Sequence, residues 1–382
     1  MAHVFIVNKT TFKVHLENMF AGTGASDVPT DFIFDPTITI HTQNEKRSVG
    51  MISDLARIRK GDKIIFFVTG IAKFYGIFEA ASDFFVDPND DGNYLFEELQ
   101  KKLTYRILLK PYQVFEKGIS EYNYLDSLEG LNHPYELCWS LIYRKLGGNR
   151  GCTMITDAEY ELFQKRISKD NSILTGTNFT FDLSNNEIKS INTVKNYPQS
   201  RMYDVIDHLR VNMLKKYQEK KAFEHYIQFL TITTLKGADY TKILTHSTKV
   251  TWIGNEVMCS FGEHRIDVMA IQEDKESVDI SLIELKDERV STNIIKQIES
   301  YLIWLKDYIL PYYLNKNKKV NVYPIILSDG LFNAKQFVKD RLQITEKTIT
   351  DNNWSIYNTQ NIIFHSIKIL HFKEDNSKLI IA

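Results

Sequence analysis

The chain has 382 residues, 47 Lys and Arg against 48 Asp and Glu, a net charge of −1, and 43% hydrophobic and 25% charged residues. These are the proportions of a soluble globular protein, and the length exceeds one ordinary core, so two domains are expected. A near-neutral balance excludes strong unspecific attraction of polyanions by the whole surface, though not a local basic groove.

Three scattered cysteines, Cys138, Cys152 and Cys259, form no CxxC pair. Neither a zinc site nor a disulfide framework is indicated, and a reducing cytoplasm is the simplest setting. No apolar stretch is long enough to span a bilayer. The lysines at 215, 216, 220 and 221, and at 316, 318 and 319, read as solvated faces.

In chain order, His3 to Val7 is an apolar first strand rather than a signal peptide. An amphipathic stretch runs from Thr11 to Phe20, then a glycine turn at Gly22 to Gly24. Lys63 to Thr69, Gly76 to Ala81 and Thr104 to Leu109 read as strands. Glu136 to Arg144 and Asp157 to Ile167 read as helices, the second capped by Thr156. The polar stretch from Ser168 to Ser200 is the expected boundary. The division is therefore 1–168, a linker at 169–200, and 201–382.

Met202 to Thr234 has a long helical pattern, broken near Lys216 to Lys220. Val257 to Phe261, Arg265 to Gln272 and Asp279 to Leu285 read as strands. Asn293 to Leu310 has apolar positions at helical spacing. Val320 to Leu327 is an apolar strand, in which Pro324 argues against a central place. A helix from Asn333 to Leu342 and strands at Ile362 to Ile369 and Lys378 to Ile381 complete an α/β core.

The chemistry concentrates in the run GEHRIDVMAIQEDKESVDISLIELKDE. Asp267 sits inside an apolar strand, where a carboxylate is costly unless paired or binding a cation. Glu284 and Lys286, two apart on the next strand, share a face that Asp267 can join. Hard carboxylate oxygens suit Mg²⁺, with Mn²⁺ as an alternative. The metal polarises a phosphate and acidifies a water, while the lysine stabilises developing charge. Glu224, in the helical segment AFEHYIQFL, is a candidate third metal ligand.

This set resembles the PD-(D/E)xK nuclease superfamily. Asp267 in "RID", Glu284 and Lys286 in "IELK" and the helical Glu224 stand at its motif positions, and Gln297 and Tyr301 match the QxxxY motif of RecB-like members. The pattern looks most like NucS-like endonucleases, over roughly Met202 to Leu327. The resemblance implies a restriction-endonuclease-like α/β core with a mixed sheet, and catalytic roles for Asp267, Glu284, Lys286, Glu224, Gln297 and Tyr301. In this sequence Glu263-His264 replaces the glycine that often precedes RID. His225 and His264 read as packing or surface residues, and Arg265 and Arg289 either as phosphate contacts or as solvated.

In the first half, GDKIIFFVTGIAKFYGIFEAASDFFVD and TYRILLKP resemble PUA-like domains of the EVE and YTH type, over roughly residues 1–168. That implies a β-barrel with helices, an aromatic cage and a flipped, modified base. By position Phe20, Tyr94 and Phe96 are candidate cage residues, and Asn8 a candidate base contact. The tryptophans usual in YTH cages are absent at these positions, and Trp139 lies in a helical pattern.

The fusion resembles a modification-dependent restriction endonuclease acting on double-stranded DNA. A homodimer is expected if both strands are cut. The alternatives are an endonuclease that reads unmodified sequence or DNA structure, and a non-cleaving binder of modified nucleic acid.

Overall fold

A computed structural model describes residues 1–24, 27–88, 92–126, 131–138, 140–141, 151–193, 195–219, 223–259, 264–290, 294–331, 361–365, 367–375 and 378–381. The fold is mixed α+β, with a curled mixed sheet, a half-barrel, in each half. The chain divides into two units, one of residues 1–132 and 136–209, the other of 133–135 and 210–382. Among the described residues no helix is long and apolar enough to cross a membrane.

The sheet of the first unit contains β1 (Ala2–Val7), β2 (Phe20–Thr23), β3 (Lys63–Val68), β4 (Lys73–Ala80), β5 (Phe85–Val86), β6 (Tyr105–Pro111), β7 (Ile119–Ser120) and β8 (Cys152–Ile155). The spatial order is β2-β6-β4-β3-β1-β8, with β5 beside β6 and β7 beside β4. β1 and β3 run parallel. The helices are α1 (Lys9–Glu17), α2 (Asp31–Phe34), α3 (Thr42–Ala56), α4 (Phe96–Leu99) and α5 (Asp157–Ile167).

β1 and β3 read as continuous apolar runs because both faces of the sheet are covered. Successive side chains alternate. Val4 joins a core with Phe74, Phe163 and Ile167 of α5. Phe5 turns the other way, with its ring 6.0 Å from that of Phe66, which lies 5.1 Å from Phe12 of α1. Thr156 and Glu159 form the reciprocal capping box that starts α5.

Four expectations need correction here. Gly22 lies inside β2 rather than in a turn. A Cβ at Gly22 would stand 3.2 Å from Cγ of Arg106, and one at Gly24 only 2.7 Å from the backbone nitrogen of Thr104. The glycines therefore allow β2 to approach the start of β6. Helix α3 was not anticipated. The expected linker 169–200 instead forms a hairpin, β9 (Phe179–Asp182) with β10 (Glu187–Ser190). Its Phe181 ring sits 5.0 Å from Phe12, so the hairpin is part of the first unit's core. The unit boundary accordingly falls between Leu209 and Arg210.

Helix α6 (Ile206–Glu219) begins before the boundary and continues into the second unit, which also carries α7 (Phe223–Lys236), β11 (Val250–Met258), β12 (Arg265–Glu273), β13 (Ser277–Val290), α8 (Ile294–Tyr308), α9 (Leu310–Asn315), β14 (Lys319–Leu331), β15 (Ile362–Phe364), β16 (Lys368–Asp375) and β17 (Lys378–Ile381). The sheet order is β11-β12-β13-β14-β16-β17, with β15 also on β14. β11 starts seven residues before the expected Val257.

β14 is central despite Pro324. The physical reason is its position in the ladder. β14 pairs with β15 over Val320 to Val322 and with β16 over Ile325 to Ser328. Pro324 falls in the gap between the two partners, where its missing N–H interrupts neither ladder. The expected helix 333–342, Trp139 and residues 142–144 of the expected helix 136–144, and Gly262-Glu263 lie outside the described residues.

Candidate functional site

β12 and β13 are antiparallel, with Val268 opposite Ile283. One step further, the register sets Asp267 opposite Glu284, and opposed residues share a face of the sheet. On the other side, β11 pairs Asn255 with Val268 and Val257 with Ile266. Glu256 is therefore the residue across from Asp267. Three acids, Glu256, Asp267 and Glu284, occupy one row across three adjacent strands.

Each acid is held differently. Glu284 is 1% exposed. Its Oε1 accepts from Nζ of Lys286 at 2.6 Å, and its Oε2 lies 2.8 Å from the hydroxyl of Tyr301. Asp267 Oδ2 accepts from the backbone nitrogen of Leu285 at 2.7 Å. Glu256 accepts from Nη1 of Arg265 at 3.0 Å and from Nε2 of Gln228 at 3.1 Å. Its φ of 53° is left-handed, which is uncommon for a non-glycine residue and is over-represented at functional sites.

Helix α8 supplies the clamp on Glu284. Gln297 and Tyr301 are one turn apart, and Nε2 of Gln297 donates to the Tyr301 hydroxyl. That hydroxyl also stands 2.7 Å from the carbonyl of Arg265. With a single proton, it serves Arg265 and Glu284 in alternation or as a shared bond.

The electrostatics follow from crowding acids into a buried place. Burial pushes the Asp267 carboxyl well above the ordinary range, and the charge of Glu284 pushes it further; the Leu285 N–H and Lys286 act in the opposite sense. Burial alone would lower the pKa of Lys286, but Glu284, Asp267 and Glu224 outweigh it, so the net shift is upward. The Cys259 thiol is also raised, first by burial and then by Glu284 and Asp267.

Glu224 is exposed in the first turn of α7. Desolvation raises its pKa, Lys286 opposes the shift, and Asp287, Glu256 and Glu284 add to it. Among the described residues, no three His, Cys, Asp or Glu side chains gather closely enough to hold an ion. The expected trio of Asp267, Glu284 and Glu224 is thereby corrected to a pair, with Glu224 at the rim. Two hard carboxylates suit Mg²⁺, which usually keeps several waters and takes one or two carboxylates.

In the first unit, the expected cage disperses. Phe20 is 0% exposed. It packs on His15 at 4.6 Å and on Tyr197 at 5.8 Å, with the guanidinium of Arg106 at 4.9 Å from its ring. Phe20 is therefore a core residue. Tyr94 is half-buried, edge-on to Tyr197 at 5.0 Å. Phe96 is 43% exposed at the start of α4. Asn8 caps α1, its side-chain oxygen accepting from Thr11 at 2.8 Å, so that oxygen is committed to the helix.

Sequence reasoning missed several residues here. Asp87 and Arg106, both fully buried, pair at 3.0 Å, and Arg201 reaches Asp87 at 2.6 Å. Tyr197 bridges them, accepting from Arg106 at 2.6 Å and donating to Asp87 at 2.8 Å. His15 is fully buried, among the described residues neither ring nitrogen has a hydrogen-bond partner, and burial holds its pKa well below the usual value. Glu256 was missed in the second unit. None of these carries a local motif; the aromatic-rich composition was the sole hint.

No protein-family model and no curated protein matches the chain. Among solved structures it is similar to human THYN1 in complex with 5-methylcytosine containing DNA, at 10% identity and a TM-score of 0.27, over 44% of this chain and 98% of that one. It is also similar to PSPTO5229 from Pseudomonas syringae, at 12% identity and a TM-score of 0.26, over 43% of this chain and 98% of that one. Likenesses at these scores say nothing further about either unit.

Proposed function

We propose that this chain is a metal-dependent DNA endonuclease whose first unit reads a modified base. The observation that carries the nuclease reading is the juxtaposition of Asp267 and Glu284 on one sheet face, with Lys286 bonded to Glu284 at 2.6 Å. Lining up like charges on a half-buried face is costly without a cation to justify it.

Asp267 and Glu284 would hold Mg²⁺, or Mn²⁺, which supplies Lewis acidity toward the phosphodiester and acidifies water. Tyr301 and Gln297 keep the Glu284 carboxylate in one orientation. Lys286 places an ammonium beside the acids, where it offsets charge building on the phosphate. Arg265, exposed and paired with Glu256, stands beside the same row. One such site cuts one strand, so double-strand cleavage calls for a homodimer or paired encounters. The base reader in the first unit is part of this proposal, with Tyr94 and Phe96 as its accessible aromatics.

The burial of Phe20 favours a second reading, in which the first unit recognises unmodified sequence or DNA structure. Methylated and unmethylated plasmids incubated with Mg²⁺, with and without chelator, test both. Chelator-sensitive cutting that vanishes in Asp267→Ala and Glu284→Ala supports the nuclease. Equal cutting of both plasmids favours the second reading, and binding without cutting overturns the enzyme.

A further inference from the structure

The first unit contains a cleft of about 610 Å³ lined by Lys73, Lys117, Arg166 and Lys169, with Ser120 and Asn123 on its wall. Lys73 opens β4, Lys117 precedes β7, and Arg166 and Lys169 come from the end of α5 and the residues just after it. Four cations therefore converge from three separate stretches of chain. Among the described residues, the lone acid in the lining is Asp170; Glu121, 7% exposed, adjoins Ser120 in sequence.

Three of these cations are not consumed by the fold. Among the described residues, Lys73, Lys117 and Lys169 make no ion pair. The Arg166 guanidinium is fixed in place by the carbonyls of Asn123 and Tyr124, at 3.0 and 2.6 Å. Gly118 lets the wall approach closely, since a Cβ there would lie 2.6 Å from the Tyr75 ring. A net-neutral chain has thus concentrated positive charge in one concavity, where fields focus.

The segment that forms this wall also carries Tyr122, 71% exposed. Tyr122 stands in sequence between Ser120 and Asn123 of the lining, and an exposed ring combined with a cationic cleft is what single-stranded nucleic acid uses, with bases on the aromatic and phosphates on the cations. We infer that this cleft binds a nucleic-acid strand, with its phosphodiester backbone along Lys73, Lys117 and Lys169 and a base against Tyr122. The inference rests on reading the first unit as a nucleic-acid binder, and locates where the strand lies.

The test is binding of a labelled single-stranded DNA oligonucleotide to the full chain, in chelator, over a range of salt. Lys117→Glu with Lys169→Glu is expected to weaken binding about 10–100-fold and to reduce the salt slope by about two, close to one for each phosphate that is no longer neutralised. Lys60→Glu, an exposed reversal elsewhere on the same unit, is expected to change affinity less than about 2-fold, and Lys117→Arg with Lys169→Arg to retain wild-type binding. Tyr122→Ala is expected to lose about 5–50-fold at an unchanged slope.

An unchanged slope in the Lys117/Lys169 reversal overturns the cleft while leaving the reader and nuclease readings intact. Wild-type affinity in Tyr122→Ala overturns the choice of nucleic acid over anions in general. Failure of the wild-type chain to bind the oligonucleotide at low salt overturns the cleft together with the reader. Altered slope in a chain whose Asp267→Ala variant still cuts supports the cleft and removes the nuclease assignment instead.

Discussion

The Leu285 backbone N–H donates to Asp267 Oδ2 at 2.7 Å, which ties the carboxylate of one strand to the residue between Glu284 and Lys286 on the next. That bond sets the spacing of the two acids. It also marks Asp267 as the strained member, because one neutral donor only partly offsets burial and the charge of Glu284.

Asp267→Asn is therefore expected to abolish cutting and to stabilise the chain at neutral pH. Since the folded-state pKa of Asp267 is raised, the wild-type chain loses stability as pH climbs from the ordinary carboxylate range through that raised value. The asparagine variant has no such loss, so its advantage opens with rising pH and closes in acid. A gain of about 1 kcal/mol would appear as roughly 2–4 °C in Tm for a unit of this size. A variant that melts lower than wild type at pH 8 contradicts the assignment.

Lys286→Ala is expected to remove cutting and to leave DNA binding in place. Glu284, almost fully buried, would lose its cation and keep the Tyr301 hydroxyl. A moderate stability loss of about 1–3 kcal/mol should accompany this, since Lys286 is itself partly exposed. Normal turnover in this variant, measured by plasmid nicking, would remove Lys286 from the chemistry.

Tyr301→Phe deletes the hydroxyl that Glu284 and the Arg265 carbonyl share. A loss of about 1–2 kcal/mol in stability is expected. The cutting rate should fall about 10-fold, with little change in KM, because the variant disturbs the orientation of a site acid and leaves substrate binding alone. A rise in KM at constant kcat would place Tyr301 against substrate instead.

The two aromatics expected to act alike are expected to separate. Phe20→Ala opens a cavity in a closed core and should cost about 3–5 kcal/mol of stability. Phe96→Ala, at an exposed site, should melt like wild type and weaken any preference for modified DNA. Equal melting temperatures would refute the packing described for Phe20.

The first unit should also be sensitive to acid through His3. His3 is fully buried beside Asp62 at 3.0 Å, yet burial outweighs that partner and its pKa is lowered from 6.5 to about 4. A histidine lowered on folding contributes stability that is complete above its unfolded pKa and is lost as pH falls toward the folded value. Between pH 6.5 and 4 the loss should reach the order of 3 kcal/mol. His3→Gln should flatten that limb in melts followed against pH, and an unchanged limb would assign it elsewhere.

What the sequence determined by itself is what short-range pattern encodes. Short apolar runs bounded by turn residues located β1, β3, β4, β12 and β13, and Thr156 as an N-cap located the start of α5. The two-residue spacing of Glu284 and Lys286 already implied a shared face, and the one-turn spacing of Gln297 and Tyr301 implied a shared helical side. Those features depend on neighbours within a turn or a pleat.

Only the tertiary structure decided the rest, because it depends on residues far apart in the chain. Glu256 enters the acidic row through strand register, which no local signal reports. Glu224 stays at the rim because where α7 lies against the sheet is settled by packing. Phe20 and Tyr94 look equivalent as aromatics and both touch the distant Tyr197, yet packing closes Phe20 into the core and leaves Tyr94 half-buried. Residues 169–200 look like a linker by composition, yet the rings of Phe179 and Phe181 pack against Phe78 and Phe12 and bring the hairpin into the core.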